Sequence, residues 1–301
     1  MARTNKFGRT DYIPADVKRK VRQQCGFGCV NCGSPFYDYE HWNPTFEKLN
    51  SDPSPDGITL CCPSCHRIKG RLLSEEDYKN NIKEPFALKN GFVATNWSKG
   101  FAPEIILGNF KCFGGTRILE IDNQLMLGFT EPEDKDAPPN LIARFFDRNG
   151  DECFRIDNNQ CIGNPNNWDI ESTGIAKNGW RWIIRNGLRK IDLSLELYPP
   201  DKIVINKMLW HYGPLRVVVN ENGVQLSLRQ RDNSYKNMIL IQNAAYVRAL
   251  KPEHSFLSVK RKQQFIPPNT MNIVHNFEMN HIELNGGGTG KISFSPDEDL
   301  I

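Results

Sequence analysis

Two Cys-x-x-Cys pairs lie close together in the first 70 residues and constrain the fold of this chain more than any other feature. The first pair is Cys29 and Cys32, and the second is Cys62 and Cys65. Zinc prefers tetrahedral thiolate coordination, and a two-residue spacer lets one turn present both sulfurs of a pair. Because four thiolates leave no open position, we expect a structural Zn²⁺ that holds a small module folded.

The cysteine count argues for metal ligands rather than disulfides. The chain has nine cysteines, an odd number, and six of them lie between Cys25 and Cys65. We see no apolar leader at the start and no run of about 18 apolar residues, so we expect neither a secretory signal nor a membrane span. Close cysteine pairs then indicate metal binding in a reducing compartment, and we predict a cytoplasmic protein. Cys25 and Cys61 are expected to be buried apolar residues.

The residues between and beside the cysteine pairs suit phosphodiester hydrolysis. That reaction needs a base to activate water and a cation to offset the charge on the phosphate. Histidine titrates near neutrality, so His41 fits the base. Glu40 and His66 offer a carboxylate and an imidazole that can hold a divalent ion and leave positions for phosphate oxygens. We therefore predict His41, Glu40 and His66 as the catalytic residues.

Residues 25–70 resemble the HNH endonuclease family, a ββα-metal nuclease module. The matching positions are Cys29, Cys32, Gly33, Glu40, His41, Pro44, Asp56, Ile58, Leu60, Cys62, Pro63, Cys65, His66, Lys69 and Gly70. The resemblance implies that His41 is the general base and that Glu40 and His66 bind a catalytic Mg²⁺ or similar ion such as Mn²⁺. It also implies cleavage of DNA.

Two positions depart from the pattern of that family. The acidic residue of the first strand is often Asp, whereas this chain has Glu40. The middle Asn of the family, which commonly braces the loop carrying the base, is replaced by Gly57. The change at Gly57 keeps a second hypothesis open, in which the zinc module is a binding unit for nucleic acid or protein with weakened or no catalysis.

Positive charge is concentrated with the cysteine cluster. Residues 1–100 carry 15 Lys and Arg against 11 Asp and Glu, a net charge of +4, whereas the rest carries 23 against 24, a net charge of −1. A basic module favours a polyanionic partner, here DNA. The candidate phosphate contacts are Arg19, Arg22, Arg67, Lys69 and Arg71.

The pattern of the first 103 residues predicts a short helix-and-strand module followed by a linker. Residues 13–24 favour a helix, residues 37–41 and 58–61 favour strands, and a further helix is predicted to begin near His66. Ser74 is a candidate helix N-cap. Residues 84–103 contain Pro and Gly without a clear period. We therefore place the nuclease module at 1–83 and the linker at 84–103.

From residue 104 the sequence favours antiparallel β structure. Short β-prone runs are separated by Asn-Gly turn signals, and residues 217–226 predict a hairpin. The predicted runs are 118–121, 141–146, 180–184, 191–197, 203–205, 215–219, 224–228 and 238–241. The predicted fold class is α+β, with a ββα-metal zinc module followed by a larger, mostly antiparallel β domain over 104–301.

The leading hypothesis is a metal-dependent DNA endonuclease whose β domain recognises the target or regulates activity. A bacterial or phage restriction or defence setting fits by analogy only. In a third hypothesis the β domain is the main functional part and senses a ligand. The sequence leaves the oligomeric state open, with a homodimer among the alternatives.

Overall fold

The computed structural model describes residues 3–96, 104–113, 117–121, 123–130, 140–157, 160–176, 179–198, 202–229, 235–249, 255–261, 279–284 and 286–294. Within these residues the chain is mostly antiparallel β, which is compatible with the predicted α+β class. The helices are α1 (Ala15–Gln24), α2 (Pro63–Ile68), α3 (Glu75–Lys83) and α4 (Phe86–Asn90). Short 3-10 turns occupy Phe46–Lys48 and Pro55–Gly57.

The first twelve strands are β1 (Asp38–His41), β2 (Ile58–Cys61), β3 (Val93–Asn96), β4 (Glu104–Leu107), β5 (Phe110–Phe113), β6 (Arg117–Ile121), β7 (Gln124–Thr130), β8 (Asn140–Phe146), β9 (Glu152–Asp157), β10 (Gln160–Gly163), β11 (Asp169–Ile175) and β12 (Gly179–Arg185). The remaining strands are β13 (Ile191–Tyr198), β14 (Lys202–Tyr212), β15 (Leu215–Asn220), β16 (Gly223–Arg229), β17 (Tyr235–Ala249), β18 (Ser255–Arg261), β19 (Met279–Leu284) and β20 (Gly286–Phe294).

The chain forms two compact units that differ from the predicted domains. The first unit combines residues 1–96 with 160–191, and the second combines 97–159 with 192–301. Residues 160–191 were assigned to the β domain from the sequence, but β10 pairs with β3 and thereby joins the N-terminal unit. The predicted linker also differs, because 86–90 is helical and 93–96 is a strand. Residues 97–103 of that linker lie outside the described residues.

A β-hairpin and a helix form the centre of the first unit. Strands β1 and β2 pair antiparallel, with Glu40 opposite Thr59 and His41 opposite Ile58, and α2 follows two residues after β2. All four residues of β2 are buried. Helix α1 packs its Val21 face on this hairpin, within a cluster of buried residues that includes five of the cysteines. The apolar period of residues 13–24 predicted this helix, which begins at Ala15.

Helix α2 begins at Pro63, three residues before the predicted start near His66. The Sγ atom of Cys62 accepts a hydrogen bond from the Cys65 amide, so a cysteine takes the N-cap position. Proline at the first helical position is favourable because its missing N–H would have no intrahelical partner. The predicted N-cap at Ser74 is confirmed, since its Oγ accepts from the Asp77 amide at 3.0 Å.

The second unit is built from antiparallel strands with three parallel pairings. Strands β6 to β9 form one antiparallel meander, and β13 to β17 form a longer one. Strand β4 pairs parallel to β14, β5 to β17, and β18 to β6. The predicted hairpin is confirmed, with Asn220 opposite Gly223 across a two-residue turn.

The core of the second unit is closely packed. Trp210 on β14 is buried, and Met208 packs nearby on the same strand. One cavity beside Met208 measures about 30 Å³ and is lined by apolar side chains. Among the described residues, no helix has both the length and the apolar character needed to cross a bilayer.

Candidate functional site

The four predicted zinc ligands converge in the first unit. The Sγ atoms of Cys29, Cys32, Cys62 and Cys65 all lie within 4.8 Å of one another, and those of Cys32 and Cys62 are 3.7 Å apart. Tetrahedral coordination with zinc–sulfur bonds of about 2.3 Å requires sulfur separations of about 3.8 Å. Among the described residues, this is the one group of three or more His, Cys or carboxylate side chains that close together. The cluster can hold a metal ion, consistent with a structural zinc.

The local backbone geometry orients the sulfurs of both cysteine pairs toward one another. Gly33 has a φ of 70° and donates its N–H to the carbonyl of Cys29, which closes the turn of the first pair. The second pair is fixed by the N-cap of α2. The Asn31 amide lies 3.9 Å from the Cys29 sulfur, and Asn81 of α3 donates to Asn31 at 3.0 Å. Such outer partners orient the ligands of a metal site.

The thiols around the cluster differ in their ease of ionisation. Hydrogen bonds from Cys32 and Cys61 lower the pKa of Cys29, so one thiolate is favoured within the group. Burial raises the pKa of Cys25 to about 11 and keeps that thiol protonated. Cys25 and Cys61 are both buried, as predicted.

The three predicted catalytic residues line one groove of about 840 Å³ beside the four-cysteine cluster. Glu40 and His41 come from β1, and His66 comes from the middle of α2. The groove has a mixed electrostatic character. Its other charged side chains are Arg3, Asp11, Asp38, Glu47 and Arg67. Two of the groove's four carboxylates are paired with cations, Glu47 with Arg3 and Glu40 with Lys69.

Glu40 and His66 are close enough to share one ion. The Nε2 atom of His66 lies 3.9 Å from Oε1 of Glu40. Two ligand atoms at about 2.1 Å from one ion can be up to about 4.2 Å apart, so the pair fits a divalent ion. In the structure, Oε1 also accepts a hydrogen bond from Lys69 at 2.5 Å, and Oε2 accepts one from Tyr78 at 2.6 Å.

His41 has an environment that keeps its imidazole neutral. Burial lowers the pKa of His41, and the nearby charge of Asp11 opposes that effect. Its ring lies 5.7 Å from the ring of Phe46. The Nε2 atom is buried and has no hydrogen-bond partner among the described residues. A buried nitrogen without a hydrogen-bond partner is rare in folded proteins.

Gly57 supports the loop after His41 with its backbone. Its carbonyl accepts hydrogen bonds from the Trp42 amide at 3.0 Å and from the Asn43 amide at 3.4 Å. A Cβ atom at Gly57 would lie 2.6 Å from the carbonyl oxygen of Asn43, so a side chain does not fit without movement. Main-chain bonds at Gly57 therefore brace the segment that follows His41.

The five predicted phosphate contacts lie in different surroundings. The prediction for Arg22 is wrong, because this side chain is buried and donates to both carboxylate oxygens of Asp169. The half-buried Arg19 stacks over the ring of Trp168 at 5.0 Å. Lys69 is bound to Glu40. Arg67 is exposed and lines the groove, and Arg71 is exposed.

Sequence reasoning missed residues that hydrogen-bond to the residues lining the groove. Tyr78 lies on α3, and its hydroxyl donates to the Glu40 carboxylate. Burial, together with this hydrogen bond, raises the pKa of Tyr78, so its hydroxyl remains a donor. The N-terminal segment was also missed. The amide of Asn5 donates to the Phe46 and Leu49 carbonyls at 2.7 Å, which fastens this segment beside the groove. A lone tyrosine or asparagine carried no sequence signal for this position.

Comparisons of the chain with protein-family models, curated proteins and solved structures found no match.

Proposed function

We propose that the chain is a metal-dependent endonuclease that hydrolyses DNA phosphodiester bonds at the groove beside the zinc cluster. The observation that carries the proposal is the approach of the Glu40 carboxylate and the His66 imidazole to 3.9 Å in a groove that His41 also lines. The succession of β1, β2 and α2 around the four cysteines agrees with the resemblance to the HNH family.

Each catalytic residue has a distinct role in this proposal. Glu40 and His66 would hold the divalent ion, Mg²⁺ or Mn²⁺, which when bound supplies Lewis acidity toward a phosphate oxygen. His41, which lines the groove, would take the proton of the attacking water. Arg67, exposed at the groove, would contact a neighbouring phosphate.

Plasmid cleavage tests the proposal. The zinc-loaded full chain is incubated with supercoiled plasmid and Mg²⁺ or Mn²⁺, and the wild type is compared with His41→Ala. We expect metal-dependent nicking or linearisation by the wild type and a loss of about 10²-fold or more in the variant. Zinc content and circular dichroism check that the variant is folded. Equal cleavage by both proteins would show that His41 is not the base.

A nucleic-acid-binding module without catalysis is the second candidate function. The observation that favours it is the ion pair between Lys69 and Glu40, which already neutralises the carboxylate needed for the divalent ion. If the wild type retards DNA in a gel but leaves the plasmid intact with either metal, the binding function replaces the nuclease proposal.

A further inference from the structure

Both oxygens of the Glu40 carboxylate are engaged by neighbouring side chains. Tyr78 holds Oε2 at 2.6 Å, and the Lys69 ammonium holds Oε1 at 2.5 Å. The carboxylate is only 14% exposed, and the side chain of Lys69 is 29% exposed. His66 is 63% exposed and faces the same Oε1 atom. A cation and an imidazole thus meet at one oxygen.

The position of Lys69 is fixed by more than this ion pair. Its ammonium lies 4.2 Å from the centre of the Tyr78 ring, within the range of a cation–π contact. Its backbone N–H bonds to the carbonyl of Cys65 at 3.2 Å, so the residue is anchored to the second cysteine pair. Tyr78 therefore serves both partners, since its ring contacts Lys69 and its hydroxyl contacts Glu40.

We infer that Lys69 is a built-in competitor for the divalent ion at Glu40 and that it sets the metal affinity of the site; this inference rests on the proposed function. An ion about 2.1 Å from Oε1 would compete for the negative charge of that oxygen with the ammonium, which lies 2.5 Å from it. The two cations would also repel each other at that distance. The flexible stem of a lysine lets the ammonium swing out when the ion enters.

In this inference the two oxygens of the Glu40 carboxylate have different roles. Tyr78 keeps Oε2 oriented whichever cation is bound, while Oε1 exchanges Lys69 for the metal ion. Lys69 thus limits binding at low metal concentration and stabilises an otherwise unneutralised, mostly buried carboxylate when no metal is bound. It is a residue that determines metal affinity and acts through Glu40.

Mn²⁺ titration of the zinc-loaded full chain, followed by electron paramagnetic resonance, tests this inference. Lys69→Met keeps an apolar stem against the Tyr78 ring and removes the competing charge. We expect its Mn²⁺ dissociation constant to fall about tenfold relative to the wild type, as the loss of one charged hydrogen bond predicts. Lys79→Met, an exposed lysine of α3, is the matched control and should leave the constant unchanged.

A double-mutant cycle tests whether Lys69 changes Mn²⁺ affinity through Glu40 or independently of Glu40. In a Glu40→Gln background, Lys69→Met should no longer change Mn²⁺ affinity. Unchanged or weaker binding by Lys69→Met would overturn the inference, and so would the absence of Mn²⁺ binding in both the wild type and the variant. If Lys69→Met loses its zinc, Lys69→Gln replaces it in the same titration.

The result is independent of the plasmid assay. One outcome is that the wild type cleaves plasmid and His41→Ala does not, while Lys69→Met binds Mn²⁺ with the wild-type affinity. That outcome would reject the inference about Lys69 and keep the nuclease proposal. Tighter Mn²⁺ binding by Lys69→Met without any cleavage would keep the inference about the metal site and reject the nuclease.

Discussion

Arg22 donates two hydrogen bonds of 2.8 Å to the two carboxylate oxygens of Asp169, a residue 147 positions away in the sequence. The two side chains are only 7% and 2% exposed. Burial alone would lower the pKa of Arg22, but the hydrogen bond and charge of Asp169 raise it above its ordinary value. Arg22 also donates to the hydroxyl of Tyr39 at 2.8 Å, and Arg185 donates to Asp169 at 3.0 Å. The pair ties α1 and β1 to β11.

Removing Arg22 is expected to destabilise the first unit. Arg22→Met should lower the free energy of unfolding by about 3–5 kcal/mol, because it leaves the Asp169 carboxylate buried with only Arg185 to neutralise it. Urea unfolding followed by circular dichroism measures the change. Arg71→Met, at an exposed arginine, should stay within about 0.5 kcal/mol of the wild type. An Arg22→Met protein as stable as the Arg71→Met control would contradict the expectation.

The local patterns of the sequence predicted much of the secondary structure, whereas the long-range pairing of Arg22 with Asp169 could not be predicted. All eight predicted β-prone runs lie within strands, and β2 has the predicted bounds. The alternation of apolar residues and the turn residues are local properties, so they can be recognised without knowing the fold. The assignment of residues 160–191 to the first unit depends on contacts such as Arg22 with Asp169, for which a basic helix face gives no signal.

Gly57 is expected to tolerate no side chain. Gly57→Ala places a Cβ atom 2.6 Å from the Asn43 carbonyl oxygen, so the loop after His41 must shift. A displacement of about 1 Å in a catalytic group can reduce the rate about 10²-fold. Plasmid cleavage rates at saturating Mg²⁺ measure the effect on the proposed reaction, and zinc content checks folding.

The control for Gly57 is a glycine with ordinary space around it. At Gly174 of β11, the nearest neighbour of a Cβ atom would be the Trp180 ring at 3.5 Å, an ordinary van der Waals contact. Gly174→Ala should therefore cleave plasmid at the wild-type rate. Gly57→Asn, which restores the residue expected from the family, should be impaired like Gly57→Ala. Full activity in either Gly57 variant would show that the loop does not depend on close backbone contact.

The cysteine cluster predicts about one tightly bound zinc per chain. Cys62→Ser should abolish zinc binding and unfold the first unit, because it removes one of the four ligands. Cys61→Ser, at the adjacent position outside the four-cysteine group, should retain the metal. Metal analysis after gel filtration gives the zinc content, and proteolysis reports unfolding. Retention of zinc by Cys62→Ser would contradict the assignment.

The candidate site was only partly predictable, because some of its contacts depend on long-range packing. The four cysteines and Glu40, His41 and His66 follow from spacing and residue type, and the structure brings each set to one place. Tyr78 and the ion pair of Lys69 depend on how α3 packs beside β1. Lys69 was interpreted as a phosphate contact because sequence charge alone does not tell a solvated lysine from one bound to a carboxylate.

His211 predicts a pH dependence for the second unit. Its Nδ1 atom donates to the Arg148 carbonyl at 2.6 Å. Burial lowers the pKa of His211; the charges of Arg216 and Arg229 act in the same direction, while the hydrogen bond to Arg148 and the charge of Asp192 oppose it. The unfolded state therefore binds a proton at a higher pH, near 6.5, than the folded state does.

The stability that comes from a neutral His211 is fully present above about pH 6.5 and is lost as the pH falls through the lower, folded pKa. His211→Asn keeps an N–H donor for the Arg148 carbonyl but cannot be protonated. We expect the stability of the wild type relative to this variant, measured by urea unfolding, to decrease between pH 7.5 and pH 5. Taking the difference between the two proteins removes the contribution of every other titrating group. A difference that is constant or that grows toward acid pH would mean that the folded protein accommodates the charged imidazole, and that Asp192 outweighs burial at this position.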